Sequence, residues 1–179
     1  MRFVVYFKPL SFLIQDCAMR RSYVRMKTEF RRYWKHYVFQ SFLATLTLAL
    51  VLVFLRLQNA VVVASIGATS FIIFAMPESI TANPRNVIGG QLVGLISGSL
   101  CALIPQPAFI YSIIVYSLAV GISIFIMVVT DTEHPPASGT ALGVAVTGFS
   151  WNVAVAVVTA VVVLSLVHHF FKSSIRDLV

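Results

Sequence analysis

Apolar residues occur along the chain in blocks that are close to the length of a membrane-spanning helix. A helix needs about 20 predominantly apolar residues to cross the hydrocarbon core of a bilayer. Six such segments are separated by short stretches rich in proline, glycine or charge. They cover residues 37–55, 59–76, 87–104, 109–130, 135–149 and 151–171. The pattern predicts an all-α membrane protein with six transmembrane segments.

The fifth segment, residues 135–149, is the shortest. Its helix would extend for about 22 Å, whereas the apolar core of a bilayer is about 30 Å thick. With six crossings both termini, Arg85 and the loop of residues 131–134 are cytoplasmic, and Arg56 is the only basic residue outside. With five crossings and a re-entrant element, Lys172 and Arg176 would lie outside, against the preference of basic residues for the cytoplasm. Charge placement therefore favours six crossings.

The six segments divide into two halves with a related pattern. Each half runs long segment, short glycine-containing segment, long segment, and the short segments carry the similar strings ASIGATS (64–70) and ASGTALG (137–143). Because three crossings per half is an odd number, the second half would be inverted relative to the first. Inverted repeats with short or interrupted helices near their interface are common in transporters. The sequence predicts a 3+3 inverted repeat whose second and fifth segments are short or interrupted.

Composition and charge support a membrane protein with a basic arm. Hydrophobic residues make up 59% of the chain and charged residues 11%, whereas a soluble domain carries about 25% charged residues. Residues 1–36 hold nine of the 13 Lys and Arg against two acidic residues, a local net charge of +7. Before a spanning helix, such an arm favours anionic lipid over nucleic acid. We therefore predict a basic amphipathic cytoplasmic segment (1–36), a transmembrane domain (37–172) and a short cytoplasmic tail (173–179).

The stretch DTEHPPASGTALG, residues 131–143, places two prolines between two apolar segments. Pro135 and Pro136 fit the first turn of a helix, where backbone N–H groups lack an internal partner. A new helix would then begin around Ala137. Its N-terminus carries partial positive charge, so the amides of Ala137, Ser138 and Gly139 and the hydroxyls of Ser138 and Thr140 would be available to bind an anion. The alternative is a helix-starting turn that binds no ligand.

The string SIGATS in the second segment is the counterpart of this stretch. Its glycine allows the segment to unwind or to approach a neighbour closely; simple tight packing is the alternative. In an inverted repeat, the two strings would meet near the midplane of the membrane and suit a small anion. The predicted anion-binding residues are Ser65, Gly67, Ala68, Thr69, Ser70, Ala137, Ser138, Gly139 and Thr140.

Three further residues are candidates for a gate or an electrostatic role: Arg85, Asn86 and His134. Arg85 is either an anion gate or a cytoplasmic positive charge, and it could pair with Glu78, Asp131 or Glu133. His134 could titrate near physiological pH and couple protons to transport, or it could simply hydrogen-bond within a loop.

Glycines 90, 94 and 98 lie at four-residue spacing in the third segment. They share one helix face and permit close contact between helices. We interpret this stripe as a packing face, within one protomer or between two.

The sequence gives little support for metal, cofactor or enzyme chemistry. The string D-x-E-H has no second ligand cluster nearby, and Cys17 and Cys101 lie too far apart for a metal knuckle. No nucleophile–base pair, P-loop or dinucleotide fingerprint occurs. We expect no enzyme activity, no metal and no cofactor.

The strings MPES (76–79), NPRNVIGG (83–90) and EHPPASGTAL (133–142) resemble the HPP family of integral membrane proteins. The likeness extends from about residue 36 to residue 171. It implies transport, with nitrite transport into plastids or across cyanobacterial membranes as the family's described role. The family is usually described with four spanning helices, so the six crossings predicted from hydropathy are a departure.

These observations favour transport of a small inorganic anion, with nitrite as the candidate. An anion-selective channel is one alternative; a lipid-binding or membrane assembly protein without transport is an alternative of another class. The expected partners are the anion, anionic lipid at the basic segment and a second copy in a homodimer. We expect an inner membrane or a plastid-type membrane.

The charge distribution makes a testable prediction about topology. With Cys17 and Cys101 first replaced, a Ser173→Cys variant should react with a membrane-impermeant maleimide only after the membrane is opened, because both termini are cytoplasmic. Labelling of Ser173→Cys in intact cells would refute this orientation.

Overall fold

The computed structural model describes residues 10–55 and 60–178; at residues 10–26, 29, 53–55 and 60 it describes the backbone alone. The described residues form six α-helices and no strand, as the hydrophobic pattern predicts. The helices are α1 (Leu10–Leu55), α2 (Ala60–Ala75), α3 (Pro84–Ala102), α4 (Phe109–Val129), α5 (Pro136–Thr147) and α6 (Trp151–Phe171), with a 3-10 helix at Ile80–Ala82 before α3. Arg56, expected outside the cell, and residues 1–9 of the basic segment lie outside the described residues.

Three of the described helical stretches are long and apolar enough to cross a membrane: Phe30–Leu52, Phe109–Val129 and Trp151–Phe171. The apolar stretch Val61–Ala75 in α2 is shorter. Helix α5 has 12 residues, which extend for about 18 Å. The second and fifth segments are therefore short, as predicted. The number of crossings and the inverted repeat stay predictions.

Two compact units are distinguished, residues 1–38 and residues 39–179. In the first unit, α1 departs from helical geometry at Tyr33 (φ −122°, ψ 15°). The Arg32 guanidinium lies 5.3 Å from the centroid of the Tyr33 ring, a distance at which a cation is attracted to the ring face. The side chains of Lys27, Arg31 and Lys35 are exposed. Basic and aromatic groups thus line the described part of this unit.

In the second unit, α3 and α5 run parallel and pack at backbone distance through the glycine stripe. A Cβ at Gly90 would lie 2.6 Å from the Cβ of His134, and a Cβ at Gly98 would lie 2.5 Å from the carbonyl oxygen of Ala141. At Gly94 a Cβ would overlap the carbonyl oxygen of Ala137. The stripe is therefore a packing face within one protomer. Each of the three positions requires glycine, because a Cβ there would lie too close to the facing segment.

Helix α2 packs antiparallel to α5. A Cβ at Gly143 would lie 2.9 Å from Cγ2 of Val62, and one at Gly139 would lie 3.4 Å from the Cβ of Ser65. A smaller apolar cluster lies between α3, α4 and α5 and consists of Cys101, Val115, Ala119 and Ala145, with Tyr116 against it. Helices α2 and α4 thus contact α5 from different sides.

Helix boundaries follow the turn chemistry of the sequence. Asn83 caps α3 by accepting a hydrogen bond from the Arg85 amide at 3.3 Å, and Pro84 occupies the first turn, where its missing donor costs nothing. Helix α5 likewise begins at Pro136, one residue before the predicted start. Asp131, two residues after the end of α4, has φ 54°, a left-handed conformation that Asp tolerates better than most residues.

The C-terminal segment, residues 172–178, is attached to the bundle. The Leu178 amide donates to the carbonyl of Ala75 at 2.9 Å. Gln40 of α1 donates through Nε2 to the carbonyls of Phe74 at 2.7 Å and Arg176 at 2.8 Å. Ile175 is buried in the core. The predicted tail therefore fastens the C-terminal end of α2 to α1.

The glycine stripe generates a second prediction. Gly94→Leu should abolish folding, because the new side chain would occupy the position of the Ala137 carbonyl and force two helix backbones apart. The cost should exceed the about 1–3 kcal/mol typical of overpacking. Gly121→Leu is the matched control, since nothing lies within 4 Å of a Cβ there.

The two variants are compared with the parent protein in detergent by size-exclusion profile and thermal unfolding. A monodisperse Gly94→Leu protein that unfolds at the temperature of Gly121→Leu would contradict the packing described for α3 and α5.

Candidate functional site

A group of polar side chains lies buried where α2, α3 and α5 meet, inside an otherwise apolar bundle. We call these residues the polar cluster: Ser65, Thr69, Gln91, His134 and Thr140. Each is at most 4% exposed. Polar groups away from water are costly unless they are hydrogen-bonded, and polar residues inside membrane bundles commonly mark functional sites.

Gln91 of α3 is the centre of the polar cluster. Its Nε2 donates to Oγ1 of Thr69 at 3.0 Å and to Oγ of Ser65 at 3.3 Å. Its Oε1 accepts from the Thr140 hydroxyl at 2.6 Å. One amide thereby connects α2 with α5. Gln91 can reach both helices because it lies on α3 between Gly90 and Gly94, the positions at which α3 contacts the α5 side of the bundle.

Ser65 joins the other side of the cluster. Its hydroxyl donates to the carbonyl oxygen of Pro136, in the first turn of α5, and lies 2.8 Å from the Thr140 hydroxyl. The hydrogen of Thr140 points to Gln91 and that of Ser65 points to Pro136, so no hydrogen lies between the Ser65 and Thr140 oxygens in this arrangement. Each hydroxyl of the cluster thus has at least one hydrogen-bond partner in a neighbouring side chain or in the backbone.

His134 completes the polar cluster from the connection between α4 and α5. Its Nδ1 lies 2.9 Å from the carbonyl oxygen of Thr81, and since a carbonyl only accepts, Nδ1 carries a hydrogen and donates. Its Nε2 lies 2.9 Å from Oγ1 of Thr69. Burial lowers the pKa of His134 to about 4, and the bond to Thr81 opposes this only in part. His134 is therefore neutral near pH 7 in this structure.

The structure brings together some of the predicted anion-binding residues and separates others. Ser65, Thr69 and Thr140 belong to the polar cluster, and Gly139 packs beside Ser65. Ala137 and Ser70 are buried, whereas Gly67 and Ser138 are half-buried and Ala68 is exposed. No neighbour lies within 4 Å of a Cβ at Gly67, so this glycine does not serve tight packing among the described residues. The role of the predicted residues in anion binding stays a prediction.

Two of the amides expected to be available for an anion already have partners. The Ala137 amide donates to the carbonyl of His134 at 2.9 Å, and the Ser138 amide donates to the carbonyl of Pro135 at 3.2 Å. Both bonds run from the amide of residue i to the carbonyl of residue i−3, a pattern that is frequent at the N-termini of α-helices. The Ser138 hydroxyl accepts from Ser123 of α4 at 3.4 Å. The expectation of free amides at Ala137 and Ser138 is therefore corrected.

The predicted gate residues join the start of α3 to the connection before α5. Arg85 forms an exposed ion pair with Asp131 at 3.5 Å and donates to the carbonyl of Thr130 at 3.3 Å. Asn86, buried, donates to the carbonyl of Glu133 at 3.3 Å. The pairing of Arg85 with a nearby acid is therefore confirmed for Asp131. An exposed pair of this kind stabilises by about 0–1 kcal/mol.

Sequence reasoning missed three residues of the site: Gln91, Thr81 and Ser123. A signal existed for Gln91, because it is the only strongly polar side chain in the long apolar run from Val87 to Ala102. Thr81 contributes a backbone carbonyl, which any residue could supply, so its identity carries no signal. Among the described residues, no group of three or more His, Cys, Asp or Glu is arranged to hold a metal ion.

An all-helical bundle with three apolar helices of spanning length and a buried polar cluster defines an integral membrane protein. The family model described as HPP, transmembrane region, matches residues 27–177. The chain belongs to the HPP transmembrane family, which confirms the resemblance inferred from MPES, NPRNVIGG and EHPPASGTAL.

Two curated proteins of Dictyostelium discoideum, both described as transmembrane proteins, are similar to this chain. One is 34% identical over 112 residues, which cover 57% of this chain and 38% of the relative. The other is 32% identical over 104 residues, which cover 57% of this chain and 33% of the relative. The chain thus spans between a third and two-fifths of the length of these relatives. No solved structure matches.

The central place of Gln91 generates a third prediction. Gln91→Leu keeps the volume close to that of glutamine but leaves the Thr140 hydroxyl without its acceptor. We expect a loss of about 1–3 kcal/mol in stability, the cost of a buried unpaired polar group, seen as a lower unfolding temperature in detergent. The control is Gln106→Leu, at a half-buried position in the connection between α3 and α4. Equal unfolding temperatures for the two variants would contradict the structural role of Gln91.

Proposed function

We propose that the protein transports a small inorganic anion, nitrite in the first place, through the polar cluster between α2, α3 and α5. The observation that carries the proposal is the chemistry of that cluster. Three hydroxyls, one primary amide and one imidazole are buried together inside an apolar bundle. A membrane protein that needed these residues for folding alone could have used apolar side chains at lower cost.

The polar cluster suits an anion better than a cation. Hydroxyl and amide groups can turn their hydrogens toward a negative charge, and no carboxylate belongs to the cluster to repel it. The N-terminus of α5 lies at the cluster through Pro136, and the partial positive charge of a helix N-terminus favours anions. The donors now bond one another, so an entering anion takes over hydrogen bonds such as that from Ser65 to Pro136.

The choice of nitrite rests on the described role of the family, whereas the cluster by itself supports a small anion. A carrier is our first choice because the cluster is closed and internally bonded, and a channel is the alternative. A lipid-binding or assembly protein remains the competing class. Stabilisation against heat by nitrite favours transport, and stabilisation by lipid without an effect of anions favours the competing class.

The remaining partners and the orientation are part of the same proposal. The exposed side chains of Lys27, Arg31 and Lys35 support contact with anionic headgroups on the cytoplasmic side. A homodimer is supported by the small size of the bundle, 19.7 kDa, which offers little protein to enclose a polar pathway. An inner membrane or a plastid-type membrane fits these expectations.

Variants at three positions form the fourth prediction. Gly139→Val should reduce nitrite flux most, because a branched side chain presses on Ser65, whose Cβ lies 3.4 Å from the Cβ position of Gly139. Ser138→Ala removes one hydroxyl and should weaken binding by on the order of 1 kcal/mol. Arg85→Ala should lower flux least, because Arg85 is exposed and pairs with Asp131.

The measurement is flux into liposomes containing each full-length variant, compared across nitrite, nitrate, formate and chloride. Only variants with the size-exclusion profile of the parent protein are compared. If Arg85→Ala abolishes flux while Gly139→Val transports like the parent, the pathway depends on a basic side chain and the polar cluster is not the site.

A further inference from the structure

The Thr69 hydroxyl has three hydrogen-bond contacts, and while His134 is neutral there are too few hydrogens for all three. The Thr69 oxygen accepts from Gln91 Nε2 at 3.0 Å. It also lies 3.0 Å from the carbonyl oxygen of Ser65 and 2.9 Å from Nε2 of His134. The carbonyl oxygen of Ser65 can only accept a hydrogen bond. Nε2 of His134 can also only accept while the ring is neutral and carries its hydrogen on Nδ1. The single hydroxyl hydrogen of Thr69 cannot be donated to the Ser65 carbonyl and to His134 Nε2 at the same time.

A proton on Nε2 of His134 resolves this conflict. The imidazolium then donates from Nε2 to the Thr69 oxygen and from Nδ1 to the carbonyl of Thr81. The Thr69 hydrogen is released to the carbonyl of Ser65, and the two lone pairs of the Thr69 oxygen accept from Gln91 and His134. Every contact of Thr69 then has one hydrogen, and no atom has to move.

Among the described residues, no charged side chain stabilises such an imidazolium. His134 is contacted by Thr69 of α2, by Thr81 of the 3-10 helix and by Gly90 of α3, which are all neutral, and Met127 of α4 lies beside Gly90. The nearest acids along the chain are Asp131, which pairs with exposed Arg85, and Glu133. The pKa of His134 responds to burial and to the Thr81 carbonyl alone, with no contribution from a described charged side chain.

An anion in the polar cluster would stabilise the protonated form of His134 relative to the neutral form. A negative charge within about 4–6 Å favours the charged form of a neighbouring base, and a buried positive charge is stable only when it is paired. The anion in turn gains a cationic neighbour in a site that otherwise offers only neutral donors. Binding of the anion and binding of the proton are therefore mutually favourable.

We propose that the polar cluster binds its anion together with one proton, which is held on Nε2 of His134 and hydrogen-bonded to Thr69. The proton comes from water and returns to water when the anion leaves, so one positive and one negative charge enter and leave together. This inference rests on the proposed anion site and adds that transport is proton-coupled.

The test is a calorimetric titration of nitrite into the full-length protein in detergent. Titrations in two buffers with different protonation enthalpies give the number of protons taken up per nitrite. We expect close to one proton per nitrite at pH values above the pKa of free His134, about 4, and below the pKa of the complex. In this window the dissociation constant should rise about tenfold for each unit of increase in pH.

His134→Gln provides the matched variant, since a glutamine amide can still donate to Thr81 and accept from Thr69 but cannot take up a proton. It should bind nitrite more weakly, with no proton uptake and no dependence on pH. The control is His169→Gln, which changes an exposed histidine of α6 and should bind like the parent protein.

The outcomes separate the two proposals. Nitrite binding to the parent protein without proton uptake overturns proton coupling and leaves the anion site in place. Proton uptake that persists in a folded His134→Gln protein assigns the proton to another group and also overturns this inference. Absence of binding by nitrite, nitrate, formate and chloride over about pH 5 to 8 overturns the anion site itself.

Discussion

The contact between the backbones of α3 and α5 is the constraint on which the rest of the second unit depends. Without side chains at Gly90, Gly94 and Gly98, the two helices approach until the carbonyls of α5 rest on α3. This contact sets the register between the helices and holds His134 against the start of α3. It also places Gln91, between the first two glycines, where it reaches both α2 and α5. Polar chemistry in this bundle is therefore positioned by residues that have no side chain.

The polar cluster shows how a small bundle can hold five polar side chains without charge. Each hydroxyl or amide is bonded to another member or to the backbone, so the cost of removing it from water is largely compensated. The same completeness makes the cluster sensitive to change, because each member depends on a neighbour from a different helix. A network of this kind favours one arrangement of its helices over others. The proposed anion site would require the same property, since an anion must find its donors in place.

Much of the helical fold follows from local features that sequence displays. The apolar blocks predict the six helices, and Pro84 and Pro136 fix the starts of α3 and α5 because proline is tolerated in a first turn. The glycine spacing predicts a close contact but not its partner, since spacing carries no information about which helix approaches. Gln91 and Thr81 escaped prediction for a related reason. Their importance arises from long-range contacts, and Thr81 acts through a carbonyl that every residue possesses.

The hydrogen bonds of α2 connect this helix with segments that are distant in the sequence. At its C-terminal end the carbonyls of Phe74 and Ala75 accept hydrogen bonds from Gln40 and Leu178, and nearer its N-terminal end Ser65 donates to the carbonyl of Pro136 in α5. Helix α3 contacts the backbone of α5 at Gly94 and Gly98, where α5 presents the carbonyl oxygens of Ala137 and Ala141. Exposing Ser65 to solvent therefore requires breaking its hydrogen bond to Pro136, whereas the bonds at Phe74 and Ala75 lie about two and a half helical turns further along α2 and need not change.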